Sequence, residues 1–230
     1  MNLVVIILGI IIVVLIYILY QYFTASSKLV STADLNSSAG PITNIASPAN
    51  VAYGYSVWIY VNSWTPGANK TIFSRQGNLK LYLDKNSPTL YLDVAMNDGS
   101  NITTTITTNF PIQRWVFLSV SADNQYFDIY MDGKLVVSNR MYKGGSSSSV
   151  NTPSDDATKI PVYLGNAPSG TGWDAVVAGF NRTTTALDPQ TVWTTYMAGN
   201  GSSSWNPLSG YNMNLTILQN GKQSSQVKVW

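Results

Sequence analysis

The chain contains no cysteine, no histidine and no glutamate, and all eleven of its acidic residues are aspartates. Disulfides, thiolate nucleophiles, imidazole acid–base chemistry and zinc or iron sites built on His or Cys are therefore excluded from this polypeptide. Charge is scarce as well. Only 10% of residues are charged and the net charge is +2, with no basic run of the kind that tracks phosphates, so no nucleic-acid partner is expected. Lack of cysteine also weighs against a secreted animal domain, where disulfides are common, and leaves cytosolic, prokaryotic or virus-particle settings.

What the chain does have is apolar and aromatic surface: 230 residues at 45% hydrophobic are enough for one sizeable core. From Leu3 to Phe23 the only strongly polar side chain is Gln21. At about 1.5 Å rise per residue that stretch crosses a hydrocarbon layer of roughly 30 Å as one helix. The expectation is a retained transmembrane anchor over residues 1–24, with Leu3, Ile10, Leu15 and Tyr20 among its lipid-facing groups. The apolar run is longer than a signal-peptide core and no Lys or Arg precedes it, both of which oppose a cleaved signal. Lys28 is the nearest basic residue and follows the span, which places the remainder on the cytoplasmic side. Residues 25–50, rich in Ser, Ala, Asn and Pro, read as a flexible tether.

Beyond the tether the hydrophobic period is two. Val57, Ile59 and Val61 share one side of a strand, and Ser56, Trp58 and Tyr60 the other. The alternation recurs at Leu79, Leu81, Leu83, at Leu90, Leu92, Val94, Met96, at Val116, Leu118, Val120, and at Phe127, Ile129, Met131. Turn residues separate these runs: Asn86-Ser87-Pro88, Asn97-Asp98-Gly99, and Asp132-Gly133, a pair suited to a two-residue type I′ hairpin. The threonine run from Thr103 to Thr108 reads as an exposed strand, and Gly144 to Asp156 as a flexible surface insertion. Asp188 can cap a short helix beginning at Pro189 and ending by Gly199. A last hairpin, Met213–Gln219 and Gln226–Trp230, flanks Asn220-Gly221.

In order and content these elements resemble the laminin-G-like branch of the concanavalin A-like lectin/glucanase superfamily. The resemblance is carried by the opening strand Tyr55–Val61, by Thr71-Ile72-Phe73-Ser74 leading to Leu79–Leu83, and by the Trp115–Val120 strand that feeds the Tyr130-Met131-Asp132-Gly133 hairpin. It is carried further by Val162-Tyr163-Leu164-Gly165 and Ala178–Arg182 ahead of the helix. It implies an all-β, antiparallel jelly-roll β-sandwich with one short C-terminal helix over residues 51–230, preceded by the single transmembrane helix. The paired glutamates of the superfamily's glucanases have no counterpart here, nor do the Glu and His metal ligands of legume-type lectins. The resemblance leaves room for a laminin-G-type calcium site built from Asp and backbone carbonyls through Asp93 or Asp98, and solvated turn or strand residues are the plainer reading of both. No cofactor is expected. A membrane anchor joined to a cysteine-free domain of this type also resembles minor capsid proteins of large double-stranded DNA viruses.

The expected function is accordingly a non-enzymatic, membrane-anchored structural or adhesion protein. Its partners would be the lipid bilayer, through residues 3–23, and neighbouring capsid components in a virion. The alternative is a membrane-anchored lectin at a cell surface or envelope. Candidate partner- or glycan-binding residues are Trp58, Tyr60, Tyr82 and Tyr91, which lie opposite the aliphatic positions of their strands and could stack on sugar rings or bury against protein.

Overall fold

The structure is a computed structural model. It describes residues 9, 11–16, 27–37, 40–144, 149–168 and 170–200, together with the backbone of strands 214–219 and 222–228. Residues up to 200 form one compact unit and residues 201–230 a second, where the sequence alone suggested one domain over 51–230.

The first unit is a sandwich of two antiparallel sheets. Its strands are β1 (Ser27–Asp34), β2 (Ala52–Val61), β3 (Lys70–Arg75), β4 (Leu79–Leu83), β5 (Leu90–Ala95), β6 (Asn101–Thr107), β7 (Trp115–Asp123), β8 (Tyr126–Met131), β9 (Lys134–Arg140), β10 (Val162–Leu164) and β11 (Ala175–Thr183). One sheet has the order β1-β11-β2-β7-β8-β9, the other β10-β3-β4-β5-β6. Side chains at period-two positions point between the sheets. Val57, Ile59 and Val61 of the first sheet and Leu81, Leu83, Leu92 and Val94 of the second are all fully buried there. Burying each such side chain contributes about 1.5–3 kcal/mol, so the alternation fixes which side of each strand faces inward.

The turns follow their residues. Asp132 and Gly133 have φ of 49° and 76°, the double left-handed geometry of a type I′ turn, and join β8 to β9 directly. Between β4 and β5, Asp84 accepts from the backbone N–H groups of Asn86 and Ser87. The helix spans Pro189–Met197, with Asp188 accepting from the Thr191 N–H at 3.0 Å.

Part of the expected tether is folded. Residues 27–34 form β1, an edge strand paired with β11 from Ser27↔Arg182 to Asp34↔Val176, and Leu35 and Ile45 belong to the core. Val150 of the expected insertion likewise bridges Met96. Two charged side chains stand on inward positions: Arg75 and Arg182 are both 2% exposed. Arg75 donates to the carbonyls of Ile160, Pro48 and Ser154, and Arg182 to those of Ala46 and Ser47. Backbone acceptors take the place of carboxylates, and the two guanidiniums tie the 46–48 and 154–160 loops to the sandwich.

Among the described residues no helix is long and apolar enough to cross a membrane. Most of the expected anchor, including Leu3, Ile10 and Tyr20, lies outside the described residues. Residues 11–16 are helical, and Leu15 and its neighbours are exposed. The second unit is a hairpin of β12 (Asn214–Gln219) and β13 (Lys222–Lys228), paired antiparallel from Asn214↔Lys228 to Gln219↔Lys222.

Candidate functional site

The outer faces of the two sheets differ. On the six-stranded sheet the outward residues of β2, β7, β8 and β11 carry Trp58, Phe117, Tyr130 and Ala178, which form a second buried cluster with Val192 of the helix. Tyr196, one turn further along the helix, stacks on Trp58 with ring centroids 5.6 Å apart and planes at 18°. The chain between β11 and the helix seals the neighbouring area. Ser121 Oγ donates to the Leu187 carbonyl and accepts from the Leu187 N–H, and Leu187 lies where a Cβ on Gly54 would be, 2.4 Å away. A glycine is required at position 54 by that close approach.

Among the described residues, no such lid covers the outer face of the five-stranded sheet. Its outward residues form two rows across the strands. One row is Tyr163, Ser74, Lys80, Asp93 and Thr103; the other is Thr71, Tyr82, Tyr91 and Thr105. Thr71 is buried, Thr103 and Thr105 are exposed, and the others are half-buried. Tyr82 and Tyr91 sit directly opposite each other, with ring centroids 5.5 Å apart and planes at 31°. Lys80 places its Nζ 4.8 Å from the Tyr82 ring centroid, a cation–π contact. Tyr82 donates its hydroxyl to Asp93 Oδ1 at 3.4 Å, and Thr103 donates to the same oxygen at 2.6 Å. Burial, with Asp93 beside it, pushes the Tyr82 hydroxyl up to about 12, so it stays a neutral donor at physiological pH.

Beside the tyrosine pair the sheet opens into a cleft of about 350 Å³, lined in part by Ser74, Gln76, Lys80, Asp93, Lys159 and Tyr163. Asn78 also borders it. Its Nδ2 donates to Tyr53 Oη at 2.7 Å, while its buried Oδ1 has no protein partner. The face thus offers two ring surfaces, cations, one carboxylate and hydroxyls. These groups can stack against a planar or apolar ligand surface and hydrogen-bond along its edge.

The four residues singled out in the sequence fall on opposite sides of the molecule. Tyr82 and Tyr91 lie together on the open face. Trp58 is covered by the helix, and Tyr60 stands beside Trp115 on that same outer face of the six-stranded sheet, ring centroids 5.6 Å apart. A single site of all four is therefore excluded, because β2 and β4 belong to different sheets. Lys80 and Thr103 were missed in the sequence, although Leu79–Leu83 and Leu90–Ala95, paired across the Asn86-Ser87-Pro88 turn, bring Lys80 to Asp93 and Tyr82 to Tyr91.

Most of the described aspartates have structural partners. Asp98 accepts from Ser100 N and lies 3.9 Å from Lys143 Nζ, Asp132 pairs with Arg114 at 2.7 Å, and Asp174 accepts from Asn62 and Ser63. No group of three or more His, Cys, Asp or Glu able to hold a metal occurs among the described residues. Asp93 and Asp98 are committed to separate hydrogen-bond clusters.

Residues 34–193 match the profile of a laminin-G family of the concanavalin A-like lectin/glucanases superfamily. The chain belongs to that family, and its lectin-like sandwich is the family's fold. Among solved structures it is similar to the ligand-binding domain of botulinum neurotoxin serotype D in complex with N-acetylneuraminic acid. The TM-score is 0.54 at 16% identity, over 74% of this chain and 42% of that one. It is also similar to the binding domain of botulinum neurotoxin serotype G, with a TM-score of 0.48 at 12% identity over 65% of this chain and 37% of that one. A third similar structure is Trypanosoma rangeli sialidase, at 0.48 and 12% over 67% and 24%. The chain spans less than half the length of each, and the likeness is one of fold. No curated protein matches the chain.

Proposed function

We propose that this protein is a non-catalytic recognition module, tethered to a membrane by its N-terminal apolar segment, that grips a neighbouring macromolecule with the open face of its five-stranded sheet. The observation that carries the reading is the asymmetry of the two outer faces: one is closed by the protein's own helix, and the other presents the Tyr82–Tyr91 pair beside a polar cleft. The setting that best fits an apolar leader, a chain without cysteine and a small adhesive sandwich is a virus particle, where such a protein would link an internal membrane to the capsid shell. A tether raises the effective concentration of the domain at the membrane surface, so modest contacts suffice. The absence of Glu, His and Cys, with aspartates engaged in turns, caps and ion pairs, supports a binding role over a chemical one.

A second reading is favoured by the chemistry of the face itself. Paired aromatic rings flanked by Lys80, Asp93 and hydroxyls suit a sugar ring, with stacking on one side and hydrogen bonds at the edge. The test that separates the two uses the full-length chain in mild detergent. Retention on a glycan array that is lost on Tyr82→Ala with Tyr91→Ala supports the lectin. Silence on glycans, with co-purification of coat components that the same double substitution abolishes, supports the structural role. Coat association or glycan binding unaffected by the double substitution would refute the open face as the site.

A further inference from the structure

The five-stranded sheet ends at β6, and that edge is built differently from the other exposed edges of the sandwich. Strand β9, at one end of the six-stranded sheet, begins with Lys134 and finishes with Arg140. Strand β1, at the other, carries Lys28 and a register irregularity beside it. Strand β10 has three residues and is bridged by Ile42. Charges, bulges and short or covered edges are the devices that keep a strand from pairing with another chain. Strand β6, Asn-Ile-Thr-Thr-Thr-Ile-Thr, has no charge, no proline and no glycine, and consists almost wholly of β-branched residues. Its register irregularity falls at its far end, where Thr105 pairs with Tyr91 and Thr107 with Leu90, and leaves Asn101 to Thr105 regular.

The strand also reads nearly the same in both directions about Thr104. In an antiparallel pair of two such strands centred there, Thr104 meets Thr104 and Thr103 meets Thr105 of the second copy, all within the regular part of the strand. Thr103 and Thr105 are outward and exposed, while Thr104 is inward and buried, so the pairing would keep each of these side chains on its own face. Self-complementarity of this kind, residue i to j and j to i, is the condition for a two-fold interface.

We propose that β6 is the contact strand of a symmetric dimer, in which two copies of this chain join their five-stranded sheets edge to edge with Thr103 of one opposite Thr105 of the other. The dyad would run the row Lys80, Asp93, Thr103 of one copy into Thr105, Tyr91, Tyr82 of the next. Two open faces would become one continuous band, doubling its valency.

Because the chain has no native cysteine, the register can be tested without background. Full-length chains bearing Thr103→Cys and others bearing Thr105→Cys are prepared in mild detergent and oxidised with copper phenanthroline, separately and as an equimolar mixture. Directly opposed Cβ atoms lie about 4.5–5.5 Å apart in an antiparallel pair and diagonal ones about 7–8 Å, and a disulfide needs about 3.5–4.5 Å. The mixture is expected to yield a covalent dimer, at several times the yield of either variant alone. Equal yields in all three samples, or no dimer in the mixture, would overturn the proposal, as would a monomeric mass for the unsubstituted chain in the same detergent. A variant that fails to fold would show in the circular dichroism spectrum. The mixture of Thr103→Ser with Thr105→Ser would then establish whether the hydroxyl-bearing edge still dimerises by mass, and a monomer there would also count against it.

Discussion

Val192→Ala tests the division of labour between the two faces. Val192 is 1% exposed and seats among Trp58, Phe117, Tyr130 and Ala178. Removing its two methyl groups forfeits about 1.5 kcal/mol of transfer free energy, and the unfilled space brings the cost to about 2 kcal/mol. For a domain of this size that lowers the melting temperature by about 4–8 °C. Thermal unfolding of the full-length chain in mild detergent, followed by tryptophan fluorescence, reads the change directly, because Trp58 lies under the helix and Trp193 on it. Tyr82→Ala is the matched control. Its ring is half-buried on an outer face of the sandwich, so its loss should cost under about 1 kcal/mol. If Val192→Ala costs less than about 0.5 kcal/mol, or Tyr82→Ala costs more than about 1 kcal/mol, the assignment of one face to stability and the other to recognition fails.

Removing the helix cap with Asp188→Ala should cost about 1 kcal/mol in denaturant titration, since it leaves the Thr191 N–H without its acceptor. Arg182→Met should cost about 3 kcal/mol or more by the same measurement, because the carbonyls of Ala46 and Ser47 lose their donor inside the sandwich. Stability should be flat between about pH 5 and 8, as the chain has no His or Glu side chain to titrate there. Below about pH 4 it should fall. Hydrogen bonds from Asn86, Ser100, Ser63 and Thr191 hold Asp84, Asp98, Asp174 and Asp188 below the usual carboxylate range, so the unfolded chain takes up protons first. Above about pH 10 it should fall again. Burial pushes the hydroxyls of Tyr53, Tyr55 and Tyr130 up, and the unfolded chain then loses protons before the folded one. Melting temperatures across pH 2–12 check all three segments.

The strands of the sandwich core were legible because apolar side chains every second residue have one arrangement that buries them all. The β8–β9 turn and the capped helix were legible because Asp-Gly and Asp-Pro state their backbone geometry locally. Strand β1 was not. Ser-Lys-Leu-Val-Ser-Thr-Ala-Asp has the composition of a linker, and its strand conformation depends on pairing with β11, some 150 residues away in the chain. The same limit split the candidate site. Alternation shows that Trp58 and Tyr82 both point away from the core, but the sheet each strand joins is set by long-range pairing. Nor does it show that a helix beyond residue 188 closes one outer face. Arg75 and Arg182 sit at inward positions where the pattern calls for apolar residues, and only the loops that supply their carbonyl partners account for them.

The most direct test of the central claim is site-specific photo-cross-linking in the native membrane or particle, with a photoreactive residue placed at Tyr91 on the open face or at Trp193 on the helix that closes the other. Adducts to a partner macromolecule from position 91 and none from position 193 are the predicted result. Adducts from position 193 alone would place recognition on the opposite side of the molecule and contradict the account.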